Sequence, residues 1–390
     1  MRRMEWLLVV ALAALVVLAV AIVVVAPRLG QQRPPADVPL EPGETETMRG
    51  RVVEVLEEGG LEQGEEPYQH LLVHVETGSM AGREVVVEEG VTRIIGQQRL
   101  FEPGDRVFVE RTAGRGEDRF YISDAVRLAP LLFLVFLFIA LVVAVGRWKG
   151  VRSLGGTLFS LAVIFGFILP QVVAGRDPVL VSIVGSILLL SVSTYLTYGM
   201  NLKAHAAVAG MVLSLTLTGA LAHLFVGWSR LSGMGMEESS FLVMELGSGI
   251  NLRGLVLGGI IIGSLGVLDD VCVSQASAVF ELIRANRELG WLDLFRRSLN
   301  IGTDHIAAMV NTLLLAYVGG AMPLMLAFMI YQEPLLRRIN REPIAEEIVR
   351  TLAGSCGLVL AVPITSVIAS LLASRFIQWQ EAKGRDQRVE

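Results

Sequence analysis

Two adjacent carboxylates, Asp269 and Asp270, sit inside the run GLVLGGIIIGSLGVLDDVCVSQASAVFELIRAN, which is otherwise mostly apolar or small. A charge within a hydrocarbon layer is expensive, and where one occurs it commonly marks a path for ions or protons. A helix turns about 100° per residue, so Gly259, Gly263, Gly266, Asp270, Ser274 and Ser277 share one face. That face is small and polar, which permits close approach of another helix. Asp269 lies about 100° away, among Leu265, Cys272 and Ala276. The pattern predicts Asp270 as a carboxyl that faces other helices and exchanges a proton, with Asp269 as its neighbour. The competing reading leaves both aspartates solvated at the inner membrane face, beside a basic loop.

A second polar set follows. Asn300, Asp304 and Asn311 are spaced by four and seven residues, with His305 and Thr312 beside them. Asn311 and Thr312 are deep enough in their apolar block to hydrogen-bond a neighbouring helix. Asp304 and His305 read as residues of a helix start, where acids are favoured. His205 and His223 fall near the two ends of another block and suit an interfacial role better than metal binding. His70, His74 and Glu76 would share a strand face, which is more often a solvated face than a cation site. Cys272 and Cys356 lie in apolar segments without CxxC spacing, so they read as packing residues rather than as disulfide or metal ligands. No phosphate loop, HExxH, GxSxG or strand-borne GxGxxG is present. The sequence therefore implies no cofactor, no metal and no soluble-enzyme chemistry. Acid–base hydrolysis in the membrane is a distant reading, since adjacent helical carboxylates diverge and do not close easily on one atom.

The elements that hold these residues are written in the composition. The chain has 390 residues, of which 53% are hydrophobic and 18% charged, against about 25% charged in soluble domains. The excess is concentrated in blocks long enough to cross a bilayer. The first is Trp6–Ala26, behind Arg2 and Arg3, and is longer than the apolar core of a signal peptide. Seven more lie at about 129–146, 154–174, 178–198, 204–227, 252–280, 305–330 and 347–373. Residues 27–128 carry 20 acids against 12 bases, a balance of −8 within a total of −5, so the rest is +3. Within that acidic stretch the pattern has period two. Met48–Glu57, Gln69–Glu76, Glu84–Glu88, Arg106–Glu110 and Phe120–Val126 predict five short strands around the Pro103-Gly104-Asp105 turn.

The expected architecture is an α-helical membrane protein of about eight spans with a small all-β extracytoplasmic domain. Its parts are an anchor at 1–29, a Pro- and Gly-rich linker at 30–46, a β-domain at 47–128 that could be OB-like, a seven-helix membrane domain at 129–375 and a tail at 376–390. Basic residues set the orientation. With both termini in the cytoplasm, Arg147, Lys149, Arg152, Lys203, Arg284, Arg287, Arg296, Arg297 and the tail bases all fall inside. Arg337, Arg338 and Arg341 dissent. The segment ELIRANRELGWLDLFRRSLN interleaves apolar residues with arginines and suits the cytoplasmic leaflet.

The runs GSLGVLDDVCVSQASAVFEL and IGTDHIAAMVNTLLLAYVGGAMPL resemble the YibE/F family of bacterial multi-pass membrane proteins. The resemblance spans about 129–375 and implies little biochemistry. A remoter likeness is to SecD/SecF and the RND superfamily: an acid within a helix, a basic amphipathic stretch (Glu281 to Asn286 here), then polar residues at Asn311 and Thr312. In those proteins the acid takes part in proton-driven motion. Here the domain between the first two spans is small and Ser/Thr pairs are sparse. Two functions follow as expectations. One is an ion-gradient-driven secondary transporter or export factor, with Asp270 and Asp269 as proton carriers, Asn311, Thr312 and Ser274 as their polar neighbours, and Gly259, Gly263 and Gly266 as packing residues. The other is a non-transporting scaffold acting through the β-domain. The expected partners are the lipid bilayer, an envelope protein at residues 47–128 and a second copy of the chain, and not nucleic acid.

Overall fold

A computed structural model describes residues 45–59, 68–89, 100–113, 118–247, 249–330 and 333–386. The expected first span and most of the expected linker lie outside the described residues. The chain divides into two units, one ending at Ala144 and the other beginning at Val145.

The described residues of the first unit form five strands: β1 (Thr45–Gly59), β2 (Tyr68–Val75), β3 (Glu84–Glu89), β4 (Arg106–Thr112) and β5 (Arg119–Ala125). They match the five expected runs, and β1 starts at Thr45, inside the expected linker. The order is β3-β2-β1-β4-β5, antiparallel throughout. Strand β1 pairs with β4 through its first half and with β2 through its second, bending at register shifts between Val52 and Glu54 and between Val55 and Glu57. Such bulges add twist and curvature, and β3 comes to lie near β5. Alternation fills the interior: Met48, Val52, Leu71, Val73, Val75, Val87, Val107, Val109 and Ile122 are buried together. The one large polar group among them, Gln69, is satisfied by the Phe101 backbone: its Nε2 donates to the carbonyl at 3.2 Å and its Oε1 accepts from the amide at 2.8 Å.

Glu46 shows why the strand begins before the expected boundary. Its carboxylate accepts from the Ser79 amide at 2.8 Å and from the Ser79 hydroxyl, and lies 3.8 Å from Arg111 Nη1. A soluble fragment of residues 45–127 should therefore unfold cooperatively, with a higher midpoint than a fragment of residues 47–127. Urea titration followed by circular dichroism checks this. Equal midpoints would show that Glu46 contributes nothing, and a non-cooperative curve from both would show that the sheet depends on the rest of the chain.

The helices are α1 (Leu128–Val163), α2 (Leu169–Val173), α3 (Pro178–Tyr198), α4 (Leu202–Trp228), α5 (Glu237–Leu246), α6 (Leu252–Ala285), α7 (Trp291–Gly320), α8 (Met322–Ile330), α9 (Leu335–Ile339) and α10 (Glu342–Asp386). Among the described residues six stretches are long and apolar enough to cross a membrane: Leu128–Val173, Pro178–Tyr198, Leu202–Trp228, Leu252–Ala285, Trp291–Gly320 and Glu342–Ile377. The first combines two expected blocks. Between them Arg147 takes φ 49° and ψ −130°, a break in the helix rather than the expected loop. Further along, a π-helical turn at Ile164–Ile168 joins α1 to α2.

The second unit is built on α6, which packs against α3, α4, α7 and α10. Its caps are local: Asn251 Oδ1 accepts from the Gly254 amide at 2.8 Å, and Asn201 and Asp177 cap α4 and α3 in the same way. The amphipathic arginine-bearing segment is not one separate element: residues 281–285 end α6, and residues 291–300 open α7 and run on into the following apolar stretch. The dissenting arginines cluster about one carboxylate. Arg341 Nη2 lies 2.8 Å and Arg337 Nε 3.8 Å from Glu333, while Arg338 lies over the Phe328 ring at 4.9 Å. The Arg341 hydrogen bond holds the Glu333 carboxyl below its ordinary range. Its contribution to the turn is present at neutral pH and fades as the pH falls through that lowered value.

Candidate functional site

The buried side of α6 is the large-residue side. Leu257, Ile261, Leu265, Leu268, Cys272, Ala276 and Val279 recur at steps of three and four and enter the apolar core. The opposite stripe, with Gly259, Gly263, Gly266, Asp270 and Ser274, is exposed in this chain. The structure thus reverses the two aspartates. Asp270 is exposed, whereas Asp269 is half-buried and meets Thr194 of α3. Ser274 turns its hydroxyl back to the Asp270 carbonyl at 2.7 Å. The glycine that brings helices together is Gly258, not Gly259: a methyl group there would sit 2.5 Å from Ser182 Oγ on α3 and 3.3 Å from the Pro178 carbonyl.

Asp269 is half-buried. Thr194 Oγ1 of α3 donates to its Oδ1 at 3.3 Å and lies 3.9 Å from Met211 Sδ of α4. Thr194 itself is fully covered. Beside the carboxylate lies a cavity of about 300 Å³ between α1, α3 and α6. Helix α1 gives it Ser153, Thr157 and Ser160, spaced to share one face; α3 gives Ser193, Thr197 and Tyr198; α6 gives Gly266 and Asp269. Ile164, Leu189, Leu190, Ile262 and Leu265 form its apolar walls. Ile164 opens the π-helical turn, a type of irregularity frequent at functional sites. Gly156 lets α1 come close: a methyl group there would stand 2.9 Å from Ser193 Oγ and 3.3 Å from Thr197 Oγ1.

The site lies near the middle of the 34-residue α6 and about 6 Å along α3 from its last residue, Tyr198. That end of α3 carries further polar groups. Lys203 Nζ stands 5.5 Å over the Tyr198 ring, and Tyr195 Oη pairs with His205 Nδ1 at 2.9 Å. Neither Asn311 nor Thr312 joins Asp269. Both are exposed on α7, and the Thr312 hydroxyl donates to the Ala308 carbonyl at 3.0 Å. The group of α7 that approaches the glycine stripe is Tyr317, whose Oη would lie 3.6 Å from a methyl group on Gly263.

Sequence reasoning passed over two things. One is the hydroxyl set of α1 and α3, which looks unremarkable in either helix alone. The other is Gln275, the lone amide within α6. It is buried, and its Nε2 donates to the Ser298 carbonyl at 2.6 Å and to Ser366 Oγ at 2.7 Å, tying α6, α7 and α10 together. In the β-domain, His70 Nδ1 lies 3.4 Å from Glu57 on the neighbouring strand. Among the described residues no group of three or more His, Cys, Asp and Glu is placed to hold a metal ion. Chemically, the Asp269 cavity can take up a proton or cation against one carboxylate and exchange hydrogen bonds with a polar guest.

A family model described as YibE/F-like protein matches residues 134–375. No curated protein and no solved structure matches the chain.

Proposed function

The chain belongs to the YibE/F-like family, and we propose that it is a multi-pass membrane protein of the bacterial inner membrane that works as an ion-gradient-driven secondary transporter or export factor, with Asp269 as the group that loads and releases the coupling ion. The observation that carries this reading is a carboxylate held by Thr194 and opening onto a hydroxyl-lined cavity between three spanning helices. A carboxylate so placed is costly unless it has a task. Asp270, on the exposed stripe, is the secondary member of the pair. Vesicles containing the purified chain, given an imposed pH gradient and an internal pH dye, test the reading: proton movement that depends on Asp269 supports it.

Eight spans, both termini in the cytoplasm and residues 27–128 outside give the orientation that fits the basic loops. The break at Arg147 supports counting Leu128–Val173 as two of them, because 46 residues of straight helix would be about 69 Å long. The strand order, with β3 beside β5, supports an OB-like barrel for the outer domain, which offers a surface to an envelope partner. Topology is checked by single cysteines at Ser79 and Arg287 in a chain with Cys272 and Cys356 replaced by serine. An impermeant thiol reagent on intact spheroplasts should label position 79 and spare 287; the opposite pattern would overturn the orientation.

A scaffold role is the second reading. It draws on the five-stranded β-domain as the surface for an envelope partner; on the exposed side of α7 and α8, Leu314, Leu315, Val318, Met322, Leu326 and Met329 are uncovered in the single chain. A second copy covering that side is compatible with either function.

A further inference from the structure

We propose that the Asp269 cavity binds a small monovalent cation directly, with sodium as the species its oxygen ligands fit, in competition with the proton. This rests on the reading of Asp269 as the ion-carrying group and adds what the cavity itself selects.

Charge favours a monovalent guest. Among the described lining residues Asp269 alone carries a charged side chain. One carboxylate is neutralised by one proton or one monovalent cation, whereas a divalent ion would leave a net positive charge against it. The direction of two lining hydroxyls favours a cation. Thr157 donates its proton to the Ser153 carbonyl at 3.1 Å, and Ser160 donates to the Gly156 carbonyl at 2.9 Å. Behind the lining, Thr194 Oγ1 lies within donating distance of both Asp269 Oδ1 and Met211 Sδ. A hydroxyl whose proton is committed offers a guest only lone pairs. Thr157 and Ser160 therefore turn lone pairs to the cavity beside the Asp269 carboxylate, which suits a cation. Hydroxyl and carboxylate oxygens are hard ligands and match a hard cation.

Gly156 carries no side chain where a methyl group would press on Ser193 Oγ and Thr197 Oγ1, so those two oxygens stay open. A volume of about 300 Å³ equals roughly ten water volumes, enough for a cation that keeps part of its hydration shell. The titratable and charged groups around Asp269 are Asp270 and Cys272 on its own helix and Tyr198 on α3, whose ring carries Lys203. Helix α1 turns only hydroxyls to the cavity, and α4 brings the Met211 thioether to Thr194.

The test is the thermal midpoint of the full chain in lipid nanodiscs. Sodium chloride is exchanged for N-methylglucamine chloride at constant ionic strength, with potassium and methylammonium chloride as parallel arms. Sodium should raise the midpoint saturably, as a ligand of the folded state does, and its apparent affinity should weaken about tenfold per pH unit on the acid side. Asp269→Asn should remove the response, and the near-isosteric Thr157→Val should weaken it while leaving the sodium-free midpoint in place. Gly156→Ala, which adds bulk without touching charge, should weaken it too. A saturable response to methylammonium alone would overturn sodium as the guest. No response to any of the three cations would overturn the cation site; if pH-gradient flux were still lost in Asp269→Asn, the carrier reading would stand without it. A sodium response together with full flux in Asp269→Asn would keep the site and refute the carrier.

Discussion

Asp269→Asn should leave the protein inserted and folded while cutting pH-gradient-driven flux by about 100-fold or more, the scale on which removal of a positioned proton-transfer group is felt. Asparagine keeps the size of the side chain, and its carbonyl can still accept from Thr194, which now donates at 3.3 Å. What it loses is titration. Asp270→Asn should keep most of the flux, because Asp270 stands on the exposed stripe beside Gly266 and Ser274 and outside the cavity lining. Thr194→Val should give an intermediate loss, since the carboxylate survives without its donor. Adjacent acids can share a proton, so the contrast between the aspartates is read from the two single variants and the double variant together. Flux assays run beside thermal midpoints separate loss of the ion carrier from loss of the fold. Equal loss in both single variants would refute the face assignment.

The second large effect concerns how α4 and α10 hold together. They meet through a reciprocal pair of glycine–threonine contacts. A methyl group on Gly210 of α4 would strike Thr365 Oγ1 of α10, and one on Gly357 of α10 would strike Thr218 Oγ1 of α4. All four residues are buried. Within lipid, helices associate through such close packing rather than through exclusion of water. Gly357→Val and Gly210→Val should each destabilise the bundle by about 1–3 kcal/mol, the cost of overpacking a filled core. A unit of this size loses about 2–4 °C per kcal/mol. Gly319→Val on α7, where a methyl group meets nothing within 4 Å, should shift the midpoint little. Detergent-solubilised thermal melts with size-exclusion recovery provide the comparison. An unchanged midpoint for Gly357→Val would mean that α4 and α10 do not pack as described.

Much of this arrangement is legible from residue order. Apolar blocks place the helices because lipid or a helix bundle demands them wherever they occur. Alternation in Gln69–Val75 and Val107–Val109 places strands whose inward residues are the ones found buried. The family match agrees with the resemblance carried by the runs around Asp269 and His305. What order alone could not supply is which side of α6 its neighbours cover. The helical wheel separates Asp269 from Asp270 correctly, but the small-residue side was expected inside, and the structure buries Leu265, Leu268, Cys272 and Ala276 instead. Close approach is made by Gly258, one residue and 100° round the helix from Gly259. The hydroxyl cavity was illegible for a related reason. Ser153, Thr157 and Ser160 are separated from Ser193 and Thr197 by a turn and most of another helix, and only the packing of α1 on α3 brings them to one carboxylate. Gln275 gave a usable signal as an amide in an apolar span. His70 and Glu57 become neighbours only through the β1–β2 register.

Infrared difference spectroscopy of the full chain in lipid, titrated between acid and alkaline pH, tests most directly whether Asp269 is a carboxyl that exchanges protons with its cavity. The account predicts a carboxyl C=O band that appears on acidification in the wild-type protein, shifts on ¹³C-labelling of aspartate, and is missing from Asp269→Asn while it persists in Asp270→Asn. Superimposable difference spectra for the wild type and Asp269→Asn would contradict it.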